Sequence, residues 1–369
     1  MTFIVRDCVE EDNPQILEML RDNELKGAVS LIFGRDPNYF YGARVATEDP
    51  TTIVLFDPDS SEPDQMLGLM SGGFRTLYIN GEPRRIRYAA DLRLDERVRG
   101  QGGAAITTLY SLARIKIQQH AWGQAVILSD NKKYMNSFLR KRDDMPDAHA
   151  TGDIETSLIY GRTRKPRGSG GLTLRAATEA DIPTIQAFHD QDAPKRQFYQ
   201  KYDFSKVPTD DPYFRDLAID DYWLAFDGPE LVGMLGVWDQ KGFKQTTVAG
   251  YSGTMKFVRP MYNAWCKLSR GMPLPPAGGS FKYLMIHSIL IKNNDPHIFD
   301  ELLALVHRKF SPVYDAIIAG FFVQDPLKSS VERYSRRTLG SRHFLVTYER
   351  RDVTKDLDER LPYVEIARL

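Results

Sequence analysis

The spacing of apolar positions divides the chain into two runs that begin alike. Phe3-Ile4-Val5-Arg6-Asp7 alternates as a short strand does, and an acidic stretch, Glu10-Glu11-Asp12, leads into an amphipathic segment. Leu172-Thr173-Leu174-Arg175-Ala176 alternates in the same way and is followed by Thr178-Glu179-Ala180-Asp181 and a second amphipathic segment. Asn13, with Pro14 behind it, predicts one helix start, and Thr178 the other. Asp181 falls where a carboxylate reaches back in a capping box. The recurrence suggests a duplicated domain.

The first run continues with predicted strands at 52–57 and 65–78, a polar turn at 58–64 and a return strand at 85–94. Gly68, Gly72 and Gly73 inside the second strand predict bulges, and Asn80-Gly81 predicts a hairpin turn. Helical spacing over 102–118 places Ile106, Leu109, Tyr110, Leu112, Ala113 and Ile117 on one face. A strand at 124–128, a helix at 131–140 and a strand at 155–160 follow. The second run repeats the order, with strands at 222–226, 231–238, 281–291, 316–322 and 343–347 and helices at 298–310 and 327–336. An extra helix and loop at 251–271 and a last strand at 362–366 are also predicted. Between the runs, Arg162 to Gly171 is basic, glycine-rich and without apolar period, so it reads as a linker. The predicted domains are 1–162 and 172–369, joined by 163–171.

Composition changes this picture little. Of 369 residues, 42% are hydrophobic and 27% charged, the balance of a soluble globular protein. Lys plus Arg and Asp plus Glu both number 49, which argues against a nucleic-acid partner held by bulk electrostatics. Cys8 and Cys266 lack metal-type spacing, so no metal is expected and both read as reduced thiols. The first residues lack the pattern of a signal peptide, and no run of ~18 apolar residues occurs. The expectation is a cytoplasmic protein without a membrane partner; an oligomer is allowed.

The chemistry concentrates in Val98-Arg99-Gly100-Gln101-Gly102-Gly103-Ala104, which follows a strand and opens a helix. A helix start leaves N–H groups unpaired and carries partial positive charge. Glycines let the backbone approach a ligand, and such a turn cradles a pyrophosphate with an arginine helping to neutralise it. The dinucleotide fingerprint is not matched, because Gly100, Gly102 and Gly103 have the wrong spacing. The Lys-Ser/Thr ending of an ATP loop is missing too.

On these residues the chain resembles the GCN5-related N-acetyltransferase superfamily, whose acetyl-CoA loop reads Arg/Gln-x-x-Gly-x-Gly/Ala. Arg99, Gly102 and Ala104 fill the defined places. The resemblance implies an α+β fold of two tandem domains of this type, each a mixed, mostly antiparallel sheet flanked by helices. It implies acetyl-CoA as cosubstrate, lying where the family's fourth and fifth strands splay. Leu92, Arg93 and Leu94 would then meet the pantetheine, Arg99 to Ala104 the pyrophosphate, and Asn131 the cofactor from beyond the fifth strand. The second run has Lys292-Asn293-Asn294-Asp295 where the loop would be, so it resembles a degenerate copy without a cofactor site.

The implied reaction is direct acetyl transfer to an amine of a small molecule or peptide. The family commonly places a tyrosine acid in the helix after the fifth strand; here that position is Phe138, and Tyr134, one turn earlier, is the substitute. Asp91 and Glu155 are the candidate bases, beside the bland reading of each as a solvated carboxylate. His149 is near the expected mouth, and a lone histidine is more often structural. Some tandem members use the chain's own C-terminal carboxylate, which extends that expectation to Leu369. Phe33, Tyr39, Phe40 and Tyr41, around Arg35-Asp36-Pro37, read either as a substrate-side loop or as a helix packing its rings inward. A non-catalytic acetyl-CoA sensor is the alternative function, favoured by Phe138.

Overall fold

The computed structural model describes residues 3–98, 103–117, 122–143, 145–168 and 170–369. The first half runs β1 (Ile4–Asp7), α1 (Asn13–Asp22), β2 (Val29–Gly34), α2 (Tyr39–Ala46), β3 (Glu48–Phe56), β4 (Gly68–Ile79), β5 (Glu82–Leu94), α3 (Ala104–Ile117), β6 (Gly123–Leu128), α4 (Lys132–Phe138) and β7 (Asp147–Tyr160). The second half runs β8 (Thr173–Ala176), α5 (Ile182–Asp192), β9 (Tyr222–Asp227), β10 (Glu230–Trp238), β11 (Gln245–Tyr251), α6 (Met255–Ser269), β12 (Tyr283–Ile291), α7 (Pro296–Phe310), β13 (Ala316–Phe322), α8 (Lys328–Val331) and β14 (Ser335–Thr347).

Twelve strands form one sheet in the order β1-β3-β4-β5-β6-β14-β7-β13-β12-β10-β9-β8. The order reads as two matching series meeting between β14 and β7. Each half gives its last strand to the other series: β14 pairs with β6, and β7 pairs with β13. The two also pair with each other from Ser335↔Tyr160 to Thr347↔Asp147. The halves are therefore joined by a ladder, and one apolar cluster runs from Val45 and Leu77 to Phe322 and Ala367. A smaller sheet, β2 with β11, ties them a second time.

The openings of the two halves match atom for atom. Arg6 grips Asp12 through two bonds of 2.7 and 2.8 Å, and Arg175 grips Asp181 through two of 2.7 and 2.6 Å. Each carboxylate also accepts a backbone N–H three residues back, from Val9 at 2.9 Å and Thr178 at 2.8 Å. The cap in the first half is thus made by Asp12 on Val9, not by Asn13. Asn13 begins α1 and its side chain instead accepts the Tyr39 N–H at 2.9 Å.

Helices cover both faces of the first-half strands. Ile53 and Leu55 pack under Leu109 and Tyr110 of α3, while Val54 and Phe56 meet Ile16 and Leu20 of α1. Burial on both faces explains why β3 reads as an unbroken apolar run. Asn80 and Gly81 both have positive φ, 54° and 85°, as the two-residue hairpin turn requires. Gly72 is not a bulge: its Cβ would lie 2.5 Å from the Tyr88 carbonyl oxygen, so the position needs a bare backbone.

Two predicted elements differ. The helix at 327–336 shrinks to α8, because residues from Ser335 onward are drawn into the ladder with β7 and pairing overrides local propensity. The strand at 362–366 makes one bridge, to Gln197, and ends in a single helical turn at Ile366–Arg368.

Candidate functional site

Among the described strands only two neighbouring pairs are parallel, β5/β6 and β12/β13, and both part company. β6 pairs with β5 at Arg87 and Tyr88 alone, although β5 continues to Leu94. Just past the parting, β5 bulges: Leu69↔Arg93 and Ser71↔Ala90 set three steps on β5 against two on β4. Asp91 sits in that bulge with φ +44°. Such bulges re-aim a side chain and turn a strand edge. Leu92, Arg93 and Leu94 lie on the stretch beyond it, so the structure brings these three and Asp91 together at the gap.

Asp91 faces two arginines and a hydroxyl. Arg35 Nη2 is 3.8 Å away, Arg93 Nη2 3.4 Å, and the Tyr39 hydroxyl donates at 3.5 Å. Burial alone would raise its pKa, but Arg35, Arg93 and Lys244 hold the carboxyl below the ordinary value. Arg35 comes from the turn after β2 and Tyr39 from the start of α2. Tyr39 and Phe40 pack against α1 and β3 and Tyr41 against the main core, so these three are a helix with inward rings, whereas Phe33 lies on strand β2.

Lys244 is the residue that sequence reasoning missed. It lies in a turn of the second half, Gln240 to Lys244, with no motif around it. Burial first, then the charge of Arg35, bring its pKa down to about 7. Its Nζ donates to the Leu369 carbonyl oxygen at 2.5 Å. Leu369 thus reaches the same neighbourhood. Arg75 closes the floor, donating to the Ala46 carbonyl at 2.9 Å, to Gln124 Oε1 at 3.0 Å and to the Arg368 carbonyl, with the Tyr88 ring 3.4 Å away.

Arg99, Gly100, Gln101 and Gly102 lie outside the described residues. Gly103 has φ +85°, a conformation that suits glycine, and Ala104 opens the 14-residue α3. A Cβ on Gly103 would stand 3.5 Å from Arg142 Nη1, which puts an additional cation at the start of α3. Across the gap Asn131 caps α4, its Oδ1 accepting the Tyr134 N–H at 3.3 Å. Tyr134 and Tyr110 share a hydrogen bond, and burial raises the Tyr134 pKa, so its phenol stays protonated. Phe138 stacks on Tyr134 at 5.8 Å and meets Phe344 of β14 edge-on at 5.4 Å.

Glu155 is not part of this group. It lies on β7, three strands from β5, bound to Arg336, with Lys328 at 3.5 Å. His149 is 3.4 Å from Asp352, also on β7. Among the described residues no cluster of His, Cys, Asp and Glu could hold a metal ion, and no helix is long and apolar enough to cross a membrane.

The second parting repeats the first. β13 pairs with β12 from Tyr283 to Met285, and beyond it Met234↔Leu290 and Gly236↔His287 mark the same bulge, with Ser288 at φ +50°. Here the tail of the chain fills the gap. Glu365 accepts the Ser288 N–H at 2.7 Å, the Tyr363 hydroxyl accepts the Ile289 N–H at 3.2 Å, and Ile366 packs against Gly320.

No family model and no curated protein sequence matches the chain. Solved structures do. A GCN5-related N-acetyltransferase from Anabaena variabilis superposes with a TM-score of 0.53 at 13% identity, over 94% of this chain and 73% of that one. Saccharomyces cerevisiae N-myristoyltransferase, solved with bound myristoyl-CoA and inhibitors, gives 0.58 at 10% identity, over 94% and 80%. A glucosamine N-acetyltransferase region within a fungal multi-domain GH3 β-N-acetylglucosaminidase gives 0.60 at 11%, over 94% of this chain but 38% of that one. At these identities the likeness is one of fold. The chain has the fold of the GCN5-related N-acetyltransferase superfamily, a large, mostly antiparallel sheet flanked by helices.

Proposed function

We propose that the protein is an acetyl-CoA-dependent N-acetyltransferase that transfers the acetyl group directly to an amine. The observation that carries this reading is the parting of β5 from β6 at the Asp91 bulge, opposite a helix that starts on a positive-φ glycine. In this reading, backbone groups of Leu92, Arg93 and Leu94 line the pantetheine arm. N–H groups from Arg99 to Ala104, with the Arg142 guanidinium, hold the pyrophosphate. Asn131 flanks the cofactor from the α4 side.

The amine nitrogen attacks the thioester carbon and the carbon–sulfur bond breaks. The ammonium proton must leave first, and the thiolate must gain one. Tyr134, protonated and one turn before Phe138, supplies the second proton. Lys244, with a pKa of about 7, takes the first. Asp91, held ionised by its arginines, positions Arg35 and Lys244 rather than acting as base. Two arginines, Arg35 and Arg93, against one carboxylate favour an acceptor that carries an acid group beside its amine, such as an amino acid or peptide end. Residues 172–369 we read as a degenerate copy of residues 1–162, joined through 163–171; the twin Arg–Asp anchors and twin bulges support it.

The test is release of free thiol from acetyl-CoA across a panel of amines with and without a carboxylate. Turnover should rise as pH climbs through about 7 and lose that limb in Lys244→Met. One observation favours a second reading: Phe138 is packed between two rings and carries no proton. If acetyl-CoA binds in the micromolar range (~8 kcal/mol) but no amine in the panel releases thiol, the chain is an acetyl-CoA sensor.

A further inference from the structure

Helix α6 is built inside out. Three of its polar side chains turn toward the protein. Arg259 donates to the carbonyl oxygens of Leu274 and Pro275 at 3.0 and 3.1 Å. Asn263 exchanges two bonds of 2.9 Å with the Leu274 backbone, and Tyr262 donates to the Met272 carbonyl at 3.1 Å. Its apolar side chains turn to solvent instead: Phe257 is 79% exposed, Met261 75%, Trp265 65%, Leu268 79% and Val258 43%. Among the described residues no other Phe, Met or Trp is exposed in this way. A helix turns about 100° per residue, which sets these five side chains in one arc of about 100°. Scattered exposed apolar residues are ordinary; a continuous stripe marks an interaction surface.

The charge around the stripe identifies its occupant. Residues 240–294 hold eight lysines and arginines and no Asp or Glu, in a chain whose net charge is zero; of these Lys244 lies buried at the Asp91 site, Arg259 turns inward and Lys292 pairs with Glu230. Lys256 and Lys267 are exposed on α6 itself and Arg270 just past its end, and Arg337 of β14 reaches its Tyr262 hydroxyl at 2.8 Å. By helical position Lys256 and Lys267 flank the apolar arc, on the side away from Trp265. A second copy of the chain would fit poorly: a two-fold pairing of stripes presses like charges together. One helix face of about 22 Å is also a narrow strip beside the ~800 Å² that each partner buries in a stable dimer.

We propose that α6 lies flat in the headgroup layer of an anionic membrane surface, with Phe257, Met261, Trp265 and Leu268 inserted and the basic residues at the phosphates. Tryptophan and phenylalanine on one face of a basic helix are the chemistry of interfacial docking. The lack of a long apolar run, from which no membrane partner was expected, speaks only to a helix across the bilayer, and among the described residues no helix is long and apolar enough for that; it leaves a helix along the surface untouched.

The experiment is co-sedimentation of the full chain with phosphatidylcholine vesicles containing about one quarter phosphatidylglycerol, read beside tryptophan emission. The chain should pellet with these vesicles, its emission should shift to the blue, and salt should release it. Phe257→Ser with Trp265→Ser should lower partitioning by about ten-fold or more. Lys256→Glu with Lys267→Glu should lose the preference for the anionic lipid. All four positions are solvent-facing, so circular dichroism should be unchanged in both variants. Failure to pellet, or equal pelleting of wild type and Phe257→Ser/Trp265→Ser, overturns the proposal. So does a dimer in sedimentation velocity that the same double variant dissociates, because a second copy would then cover the stripe.

Discussion

The two partings of the sheet share a backbone and differ in what stands in them. Asp91 and Ser288 occupy the same bulge, at φ +44° and +50°, each beside a parallel neighbour that has just left. In the second gap Glu365 and Tyr363 take the backbone N–H groups of Ser288 and Ile289. The first gap is bordered by Gly103 and α3, by Tyr134, and by the cations around Asp91. The lesson is that a gap in this fold is made by strand geometry, which sequence-distant residues then either fill or leave open. The tail turns the second gap into core, and the same tail ends beside Lys244 at the first.

Breaking the first gap should have the largest effect. Gly103→Val forces a β-branched residue into φ +85° at the start of α3. Acetyl-CoA affinity measured by calorimetry should fall on the order of 10³-fold, with the second half unaltered. Unchanged affinity would remove the basis for distinguishing the two gaps. Breaking the second gap should cost stability instead. Glu365→Ala leaves the Ser288 N–H and the Tyr363 hydroxyl, bonded at 2.7 and 2.9 Å, without their acceptor. Urea unfolding should show a loss of about 3 kcal/mol. Burial raises the Glu365 carboxyl above its ordinary 4.5, against the pull of Ser288 and Arg368. Protons are therefore bound more tightly in the folded state. The contribution is complete below about pH 4.5 and is lost as pH rises through the folded value. Glu365→Gln should abolish that decline.

What was legible in the sequence was local. The Asn80-Gly81 hairpin and the Thr178–Asp181 cap are each written within a few residues, because turns and caps are short-range hydrogen-bond problems. The exchange of β7 and β14 was not legible: alternation says that a strand has two faces, not which neighbour it finds. Lys244 was hidden for the same reason, since its depressed pKa comes from burial in the fold and then from Arg35, more than half the chain away. Glu155 lies apart from Asp91, because proximity in sequence to α4 says nothing of the two strands, β6 and β14, between β7 and β5. Asn13 looked like a cap because Pro14 follows it, yet the cap is Asp12 acting one step earlier.

Tyr134→Phe sharpens the chemical side of the comparison. It keeps the ring against Phe138 and removes the only proton the pair could give. We expect kcat to fall about a hundred-fold with KM nearly unchanged, in line with loss of one general acid. A fall in affinity with intact kcat would make Tyr134 a binding residue. The partner variant Tyr110→Phe should have a weaker effect of the same sign, since Tyr110 only orients the Tyr134 hydroxyl.

The smallest effect should come from the feature the two halves share most closely. Asp12→Asn and Asp181→Asn each weaken a bidentate arginine contact and a backbone cap. Both arginines are partly solvent-exposed, 46% and 41%, so screening discounts the ionic part. A loss of about 1 kcal/mol for each is expected in urea unfolding. Both carboxyls are held below the ordinary 3.8, chiefly by their arginines, so each contribution is present above that value and lost as pH falls below it. If the halves are equivalent at this point, the two variants should match within a few tenths of a kcal/mol and add in the double variant. A cost confined to Asp12 would mean that the first half unfolds on its own ahead of the second, and that the ladder between β14 and β7 does not make them one cooperative unit.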